Sequence, residues 1–381
     1  MKIISSSYFN NQFNNSSKSD ELTAQKVQLV LGFGAKNILA SGNIYNQLRQ
    51  QYPIADIVLC STSGEIFDDK ILENSVTVTA VEFDKTNIKT ASVNIDDYNN
   101  SFDAGLALVK QFKLTEKLCY VMVLSDGAKV NGSELVNGIN KYIQNKVPVT
   151  GGLAGDGTDF NVTLVGLNDN ASCGKIVAIA FYSFHLTIAH GSMGGWERFG
   201  PERTVTSSLA NQLFEINNEN ALEVYKKYLG TYAEGLPGSA LLFPLSVKLS
   251  SASEPVVRTI LSINALTKSM VFAGDVPEGS QVRFMKANFD KLIDAAREAA
   301  QQTFITKKIS SPRLAILISC VGRKIILDTR TEEEVEAVSE VFGENTLLTG
   351  FYSYGEISPF SNNTKCELHN QTMTITTFDE A

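Results

Sequence analysis

A chain of 381 residues is long enough to bury its own hydrophobic core and has the length of two average domains. Its 43% hydrophobic and 19% charged residues, with only 9 prolines, exclude a disordered or fibrous chain. A net charge of -8 at pH 7 argues against nucleic acid as a partner, because that binding rests on Lys and Arg neutralising phosphates.

Nothing in the chain looks like a targeting or membrane segment. The first residues carry one lysine and then a Ser/Asn-rich run where a signal peptide needs an apolar stretch of roughly 7–15 residues. The apolar run 176–182 is soon broken by Ser183 and His185, far short of the roughly 18 residues of a membrane span. A soluble, cytoplasmic protein is expected. The five cysteines (Cys60, Cys119, Cys173, Cys320 and Cys366) are odd in number and form no CxxC pair, so most of them read as small buried hydrophobes. With only three histidines, a structural zinc site is not expected.

In chain order, residues 5–20 (SSSYFNNQFNNSSKSD) are polar and aperiodic, and read as a frayed lead-in or long loop. Residues 27–32 (VQLVLG) form a strand, 36–51 a helix and 57–60 (IVLC) a second strand, a βαβ unit with a parallel pair. Residues 76–83 alternate as a strand, 102–112 read as a helix, and 120–124 (YVMVL) as a buried strand. A helix follows at 134–144, then a strand at 147–150 opening into the loop GGLAGDG, then strands at 175–182 and 186–190 in a hairpin arrangement. Spaced apolar residues make 211–230 helical, and the loop-forming EGLPGS follows, which puts a boundary near 200–220.

The second half repeats the alternation. Strands are expected at 256–265 and 270–273, an Ala-rich helix at 289–304, a buried strand at 314–320 (LAILISC), a helix at 332–342, and strands at 346–350 and 372–377. The fold class is therefore α/β, two-lobed, with mixed β-sheets flanked by helices. A weak internal similarity links the halves: STSGEI at 61–66 and YSYGEI at 352–357 both follow strands and both end in Gly-Glu-Ile. Ligands of open α/β sheets bind beyond strand C-termini, so two such loops are candidates to border one cleft; a shared turn requirement at the glycine gives the same pattern.

The segments DIVLCSTSGEI (56–66), VPVTGGLAGD (147–156), VTSSLANQLFEINNENALEVYKKYL (205–229), SCVGR (319–323), GFYSYGEI (350–357) and HNQTM (369–373) together resemble the FIST family of bacterial signalling modules. The resemblance runs from about residue 25 to 377. It implies a polar lead-in at 1–24, a FIST N-type domain at 25–218 and a FIST C-type domain at 219–381. It further implies a sensory protein that binds a small ligand, amino acids among those suggested. One branch of the family contains haem, senses nitric oxide and regulates histidine kinases. With no output domain beside the FIST pattern, a histidine kinase or other signalling protein is the expected partner.

Enzyme motifs do not fit. The run Gly350 to Gly355 spaces its Ser353 one residue too far for a G-x-S-x-G elbow, Asn37 replaces the third glycine of a dinucleotide fingerprint, and no Walker lysine pattern occurs. The loop that begins at Gly151 and Gly152 offers backbone N–H groups to an anion, or simply turns that glycine permits. For haem iron, His190 at a strand end near Met193, Trp196 and Phe199 is the candidate ligand; His185, an odd number of residues away, points to the opposite face. For an amino-acid-like ligand, Glu65 and Glu356 suit the ammonium and Arg323 the carboxylate, although a glutamate after a turn also caps a segment and an arginine after a strand also lies in solvent. Ser63, Gly64, Tyr352 and Ser353 belong to the same loops, and His369 either bonds the ligand or pins Asn370. The leading expectation is a haem-based sensor; the alternatives are an amino-acid sensor and an enzyme using Glu65 and Glu356 as an acid/base pair.

Overall fold

A computed structural model of the chain describes residues 1–10, 12–249, 254–306, 311–360 and 365–381. The fold is mixed α/β, with several mixed sheets flanked by helices. Three of those sheets are built to one plan. In the first, Leu29–Gly34 lies parallel to Asp56–Ser61 and antiparallel to Val76–Glu82, which in turn pairs with Lys2–Phe9. The second sets Leu118–Ser125 parallel to Val149–Leu153 and antiparallel to Lys175–Tyr182, beside Asn87–Asn94. The third sets Leu314–Cys320 parallel to Leu347–Ser353 and antiparallel to Met373–Glu380, beside Leu186–Met193. The chain is thus three consecutive repeats. Each parallel pair needs a crossover, which is why the helices Asn43–Gln51, Gly132–Ile143 and Thr331–Phe342 fall where they do.

The repeats exchange strands in a ring. After its parallel pair, each repeat sends a short strand into a neighbour's sheet. Glu65–Phe67 pairs with Leu347–Ser353 of the third repeat, Val165–Leu167 with Asp56–Ser61 of the first, and Gly355–Pro359 with Val149–Leu153 of the second. The register is matched as well: Ile66 pairs with Gly350 and Ile357 with Gly151. These two glycines are themselves equivalent, since a Cβ on either would stand 1.8 Å from a carbonyl oxygen of the adjacent parallel strand, Leu317 or Val123.

Inner faces of all three sheets meet in one core, where Phe33, Cys60, Tyr120, Ile179, Ile318 and Phe351 are all buried. Hydroxyl pairs stitch the sheets across it: Thr79 to Thr349 at 3.1 Å and Thr150 to Thr376 at 2.6 Å. The outer faces are covered by helices. Gly132–Ile143 begins at Asn131, whose side chain accepts the backbone N–H groups of Ser133 and Glu134, and stops at Gln144 in a left-handed conformation. Between Leu186–Met193 and the helix Phe289–Thr306, the described residues of 194–288 form an inserted eight-stranded sheet with its own core around Tyr225, Phe272 and Phe284.

Several expectations need correction. Residues 5–20, read as a frayed lead-in or long loop, overlap Lys2–Phe9 and contain Gln12–Asn15, both strands of the first sheet. A serine in this strand can be buried because its hydroxyl faces another, Ser5 Oγ lying 3.5 Å from Thr79 Oγ1; just past the second strand, buried Ser16 donates to Asp68 at 2.5 Å. The helix read over 211–230 starts only at Ala221; before it Gln212–Ile216 is a strand of the insert. Residues 175–182 and 186–190 form no hairpin, since one repeat ends and the next begins between them.

Candidate functional site

The two Gly-Glu-Ile loops occupy equivalent places in the first and third repeats and touch each other. Ser63 donates its backbone N–H to Tyr352 O at 2.8 Å, and Tyr352 returns one to Gly64 O at 2.9 Å. The carboxylates of Glu65 and Glu356 turn inward and are buried. Glu65 accepts from Thr62 and Ser75; Glu356 accepts from Ser353 and Thr372. Burial pushes each carboxyl up to about 7, against the pull of the hydroxyl donors. Ser353 is thereby a support for Glu356, and Ser63 Oγ donates to Gly157 O at 3.0 Å.

Gly64, at φ 127, holds a backbone conformation that residues with a side chain rarely adopt; the ammonium of Lys324 lies over it, bonds Ser63 O at 2.7 Å and pairs with Glu73. Gly151 and Gly152 are strand residues, not an anion cradle: a Cβ on Gly152 would meet Ile318 at 2.8 Å. Arg323 does not lie in solvent, nor does it face a cleft. It is fully buried, donates Nε and Nη2 to Glu334 at 3.0 and 2.8 Å, and caps the carbonyls of Gly194 and Leu292. Glu334 also accepts from Ser319 and from Tyr352 Oη at 2.7 Å, so Tyr352 belongs to this buried network.

Strand alternation places His190 on the face of Leu186–Met193 that carries Leu186 and Ile188, both in the inter-sheet core; Gly191 on the other face packs against Ala299. His190 is buried and lines neither of the two clefts described below. His369 directs Nε2 at Ser358 O, 2.9 Å away, and sets its ring edge-on to Phe360; burial holds it down to about 4. Among the described residues no cluster of three or more His, Cys, Asp or Glu forms a metal site. His190, the histidine expected to hold iron, is therefore not placed as an axial ligand for a haem in either cleft. Asn370 is fully buried, and neither end of its amide has a hydrogen-bond partner among the described residues.

Two clefts open between the repeat core and the insert. The larger, about 520 Å³, is walled by Met193, Trp196, Met285, Phe360 and His369 and carries Arg198 and Glu254. The smaller, about 380 Å³, is reached by Lys129, Asn131, Phe160, Leu261 and Tyr354 over a floor of glycines. They lie back to back across the strand Cys366–His369, whose successive side chains alternate faces. His369 lines the larger cleft, while Leu368 packs under Gly132 and Gly274 of the smaller, at 2.9 and 3.1 Å from where their Cβ atoms would be. Arg258 ties insert to core here: it is buried, donates Nε to Asp275 O at 3.0 Å and Nη1 to Leu368 O at 2.9 Å, and burial lowers it to about 10.

Arg198, Glu254 and Phe160 were not singled out from the sequence. The one signal within reach was Trp196, the only tryptophan, in a GSMGGW run. Neither Arg198 nor Glu254 forms an ion pair among the described residues, whereas Arg323 is paired with Glu334 and Glu65 and Glu356 are held by hydroxyl donors.

Three strand-exchanged α/β repeats carrying an inserted sheet, with clefts along the seam, define a ligand-binding protein of mixed α/β class. The chain belongs to the FIST family: residues 28–219 match the FIST N domain and residues 221–359 the FIST C domain. FIST domains are small-ligand sensory domains in signalling, and this chain is a protein of that kind. Both clefts are lined from both parts of the family pattern. No curated protein matches the chain at a significant level. Among solved structures, it is similar to cyanuric acid hydrolase from A. caulinodans (8% identity, TM-score 0.39, 94% of this chain and 91% of that one). It is also similar to a second cyanuric acid hydrolase structure (9%, 0.37, 100% and 99%) and to a chorismatase (10%, 0.35, 100% and 98%). Likeness at this level says nothing about the chemistry of this chain. Among the described residues no helix is long and apolar enough to cross a membrane.

Proposed function

We propose that this chain senses a small zwitterionic molecule of the amino-acid type, held in the larger cleft, and reports its presence to a separate signalling protein such as a histidine kinase. The observation that carries the reading is that Arg198 and Glu254 line one cleft with no ion-pair partner among the described residues, beside an apolar wall of Trp196, Met193, Met285 and Phe360. A guanidinium recognises a carboxylate and a carboxylate recognises an ammonium, and the apolar wall suits a side chain. Ser192 and Met193 belong to the third repeat, while Arg198, Glu254 and Met285 belong to the insert, whose Trp196 is tied back to the repeat through Gln371 O. A ligand spanning the two favours one placement of the insert over another, and that difference is what a partner reads. The role is binding without turnover.

The only tryptophan of the chain lines this cleft, with its indole N–H donated to Gln371 O at 2.9 Å. Titration of the full chain with free amino acids should therefore change tryptophan emission saturably, and Arg198→Ala should weaken the response about tenfold or more. Kinase autophosphorylation should depend on the same ligand. If no amino acid gives a saturable change in emission or heat, or if the protein alone turns over amides or esters, the reading fails.

A further inference from the structure

We propose that the smaller cleft is a second, separate site, for a planar and uncharged heteroaromatic molecule. Its volume of about 380 Å³ is within the range of small-molecule sites, roughly 300–1,000 Å³. One wall is the ring of Phe160, stacked on Tyr354 at 4.7 Å between centroids and 20° between planes. Phe160 is 48% exposed, and its ring is held at the mouth by its backbone: the residue sits at φ 49 and donates its N–H to Tyr354 Oη at 3.1 Å. The facing wall comes from the insert, with Leu261 and Phe272. An apolar ring kept half in water, with a second apolar wall opposite, is an arrangement that stacking of a flat ligand would satisfy.

The floor is made of backbone. Gly127, Gly132 and Gly274 are kept side-chain-free by what lies behind them, since their Cβ atoms would stand 2.1 Å from Ala154 O, 2.9 Å from Leu368 and 2.9 Å from Arg258. Peptide groups rather than side chains therefore meet the edge of a ligand, next to the amides of Asn131 and Asn211. Charge is absent in effect. Among the described residues Lys129 is the one charged residue of the lining, and its ammonium bonds both oxygens of Asp96, at 3.1 and 2.8 Å. That separates this cleft from its neighbour, where Arg198 and Glu254 have no ion-pair partner among the described residues, and points to a ligand that is flat, neutral and rich in ring-edge hydrogen-bonding groups. The inference does not depend on what the larger cleft binds.

The test uses the full chain and four probes, adenine, hypoxanthine, uracil and indole, screened by saturation-transfer NMR and followed by calorimetric titration. At least one should bind with a Kd below about 1 mM. Phe160→Ala, at a half-exposed position and with an unchanged thermal midpoint as the folding control, should weaken that binding about tenfold or more, whereas Arg198→Ala should leave it unchanged. Failure of all four probes to bind below about 1 mM overturns the proposal. So does a bound probe that Phe160→Ala leaves intact, or one whose loss Arg198→Ala reproduces, which would place it in the larger cleft.

Discussion

Glu65 and Glu356 are held by the same pair of hydroxyl donors in two different repeats. A hydroxyl three residues earlier donates to one oxygen, from Thr62 at 2.5 Å and from Ser353 at 2.7 Å. A hydroxyl just ahead of the last strand of the repeat donates to the other, from Ser75 at 2.6 Å and from Thr372 at 2.8 Å. The second repeat solves the same corner differently. Asp126, at the end of its central strand, accepts from Gly174 N–H at 2.8 Å, again just before the last strand. The carboxyl in each case ties the end of a parallel pair to the start of the closing strand.

That arrangement predicts an inverted pH response at two glutamates. Their folded value of about 7 lies above the ordinary 4.5, so between these limits the folded state holds more protons than the unfolded one, and stability falls as pH rises. The cost is fully present above about pH 7 and is on the order of 3 kcal/mol per group. His369, held down to about 4 from 6.5, acts in the opposite direction and loses stability as pH falls through that window. Glu356→Gln and Glu65→Gln, which keep the shape, should therefore raise the denaturation midpoint at pH 8 and lose most of that advantage by pH 5. Equal midpoints for variant and parent at pH 8 would refute the burial argument.

The pair Arg323 and Glu334 is buried at both ends, so removing one partner strands the other charge. Glu334→Ala or Arg323→Ala should cost about 3–5 kcal/mol in chemical denaturation, while a double replacement by apolar residues should recover much of it. A double-mutant cycle showing additive losses would mean that the two side chains act independently.

The first strand is part of the core assembly. Ile3, Ser5 and Tyr8 are buried, and the strand lies between Val76–Glu82 and Gln12–Asn15. Deleting residues 1–15 should abolish the cooperative unfolding transition, whereas a true lead-in would be removed with little effect. Thermal scans of the truncated and full chains distinguish the two.

Ligand analogues should resolve the charges of the larger cleft. If Arg198 takes the carboxylate and Glu254 the ammonium, an amino acid amide should lose affinity for the parent but little more for Arg198→Ala, and a deaminated acid should behave in the same way toward Glu254→Ala. Calorimetric titration of the four combinations measures each coupling, and full additivity of analogue and mutation would separate the residues from the groups assigned to them.

Much of the fold was legible because its signals are local. Buried runs such as 120–124 and 314–320 carry strand identity within a few residues, and the Gly-Glu-Ile repeat revealed that two loops are equivalent. Strand exchange was not legible, because Glu65–Phe67 is three residues long and its partner Leu347–Ser353 is nearly three hundred positions away. The Ser-rich start misled for a related reason: a hydroxyl counts as polar in a sequence and becomes a core residue once another hydroxyl faces it, as Thr79 faces Ser5.

The sequence by itself determined the family, the mixed α/β class and the residues that hold the loops together. Only the tertiary structure decided which charges are committed. Arg323, Glu65 and Glu356 are titratable residues in the matching motifs, and each is consumed by a partner that folding brings to it. Arg198 and Glu254, unremarkable in their own segments, have no ion-pair partner among the described residues and line a cleft. A charge is available to a ligand only when no neighbour has taken it, and neighbours are set by contacts between distant parts of the chain, which no local pattern encodes.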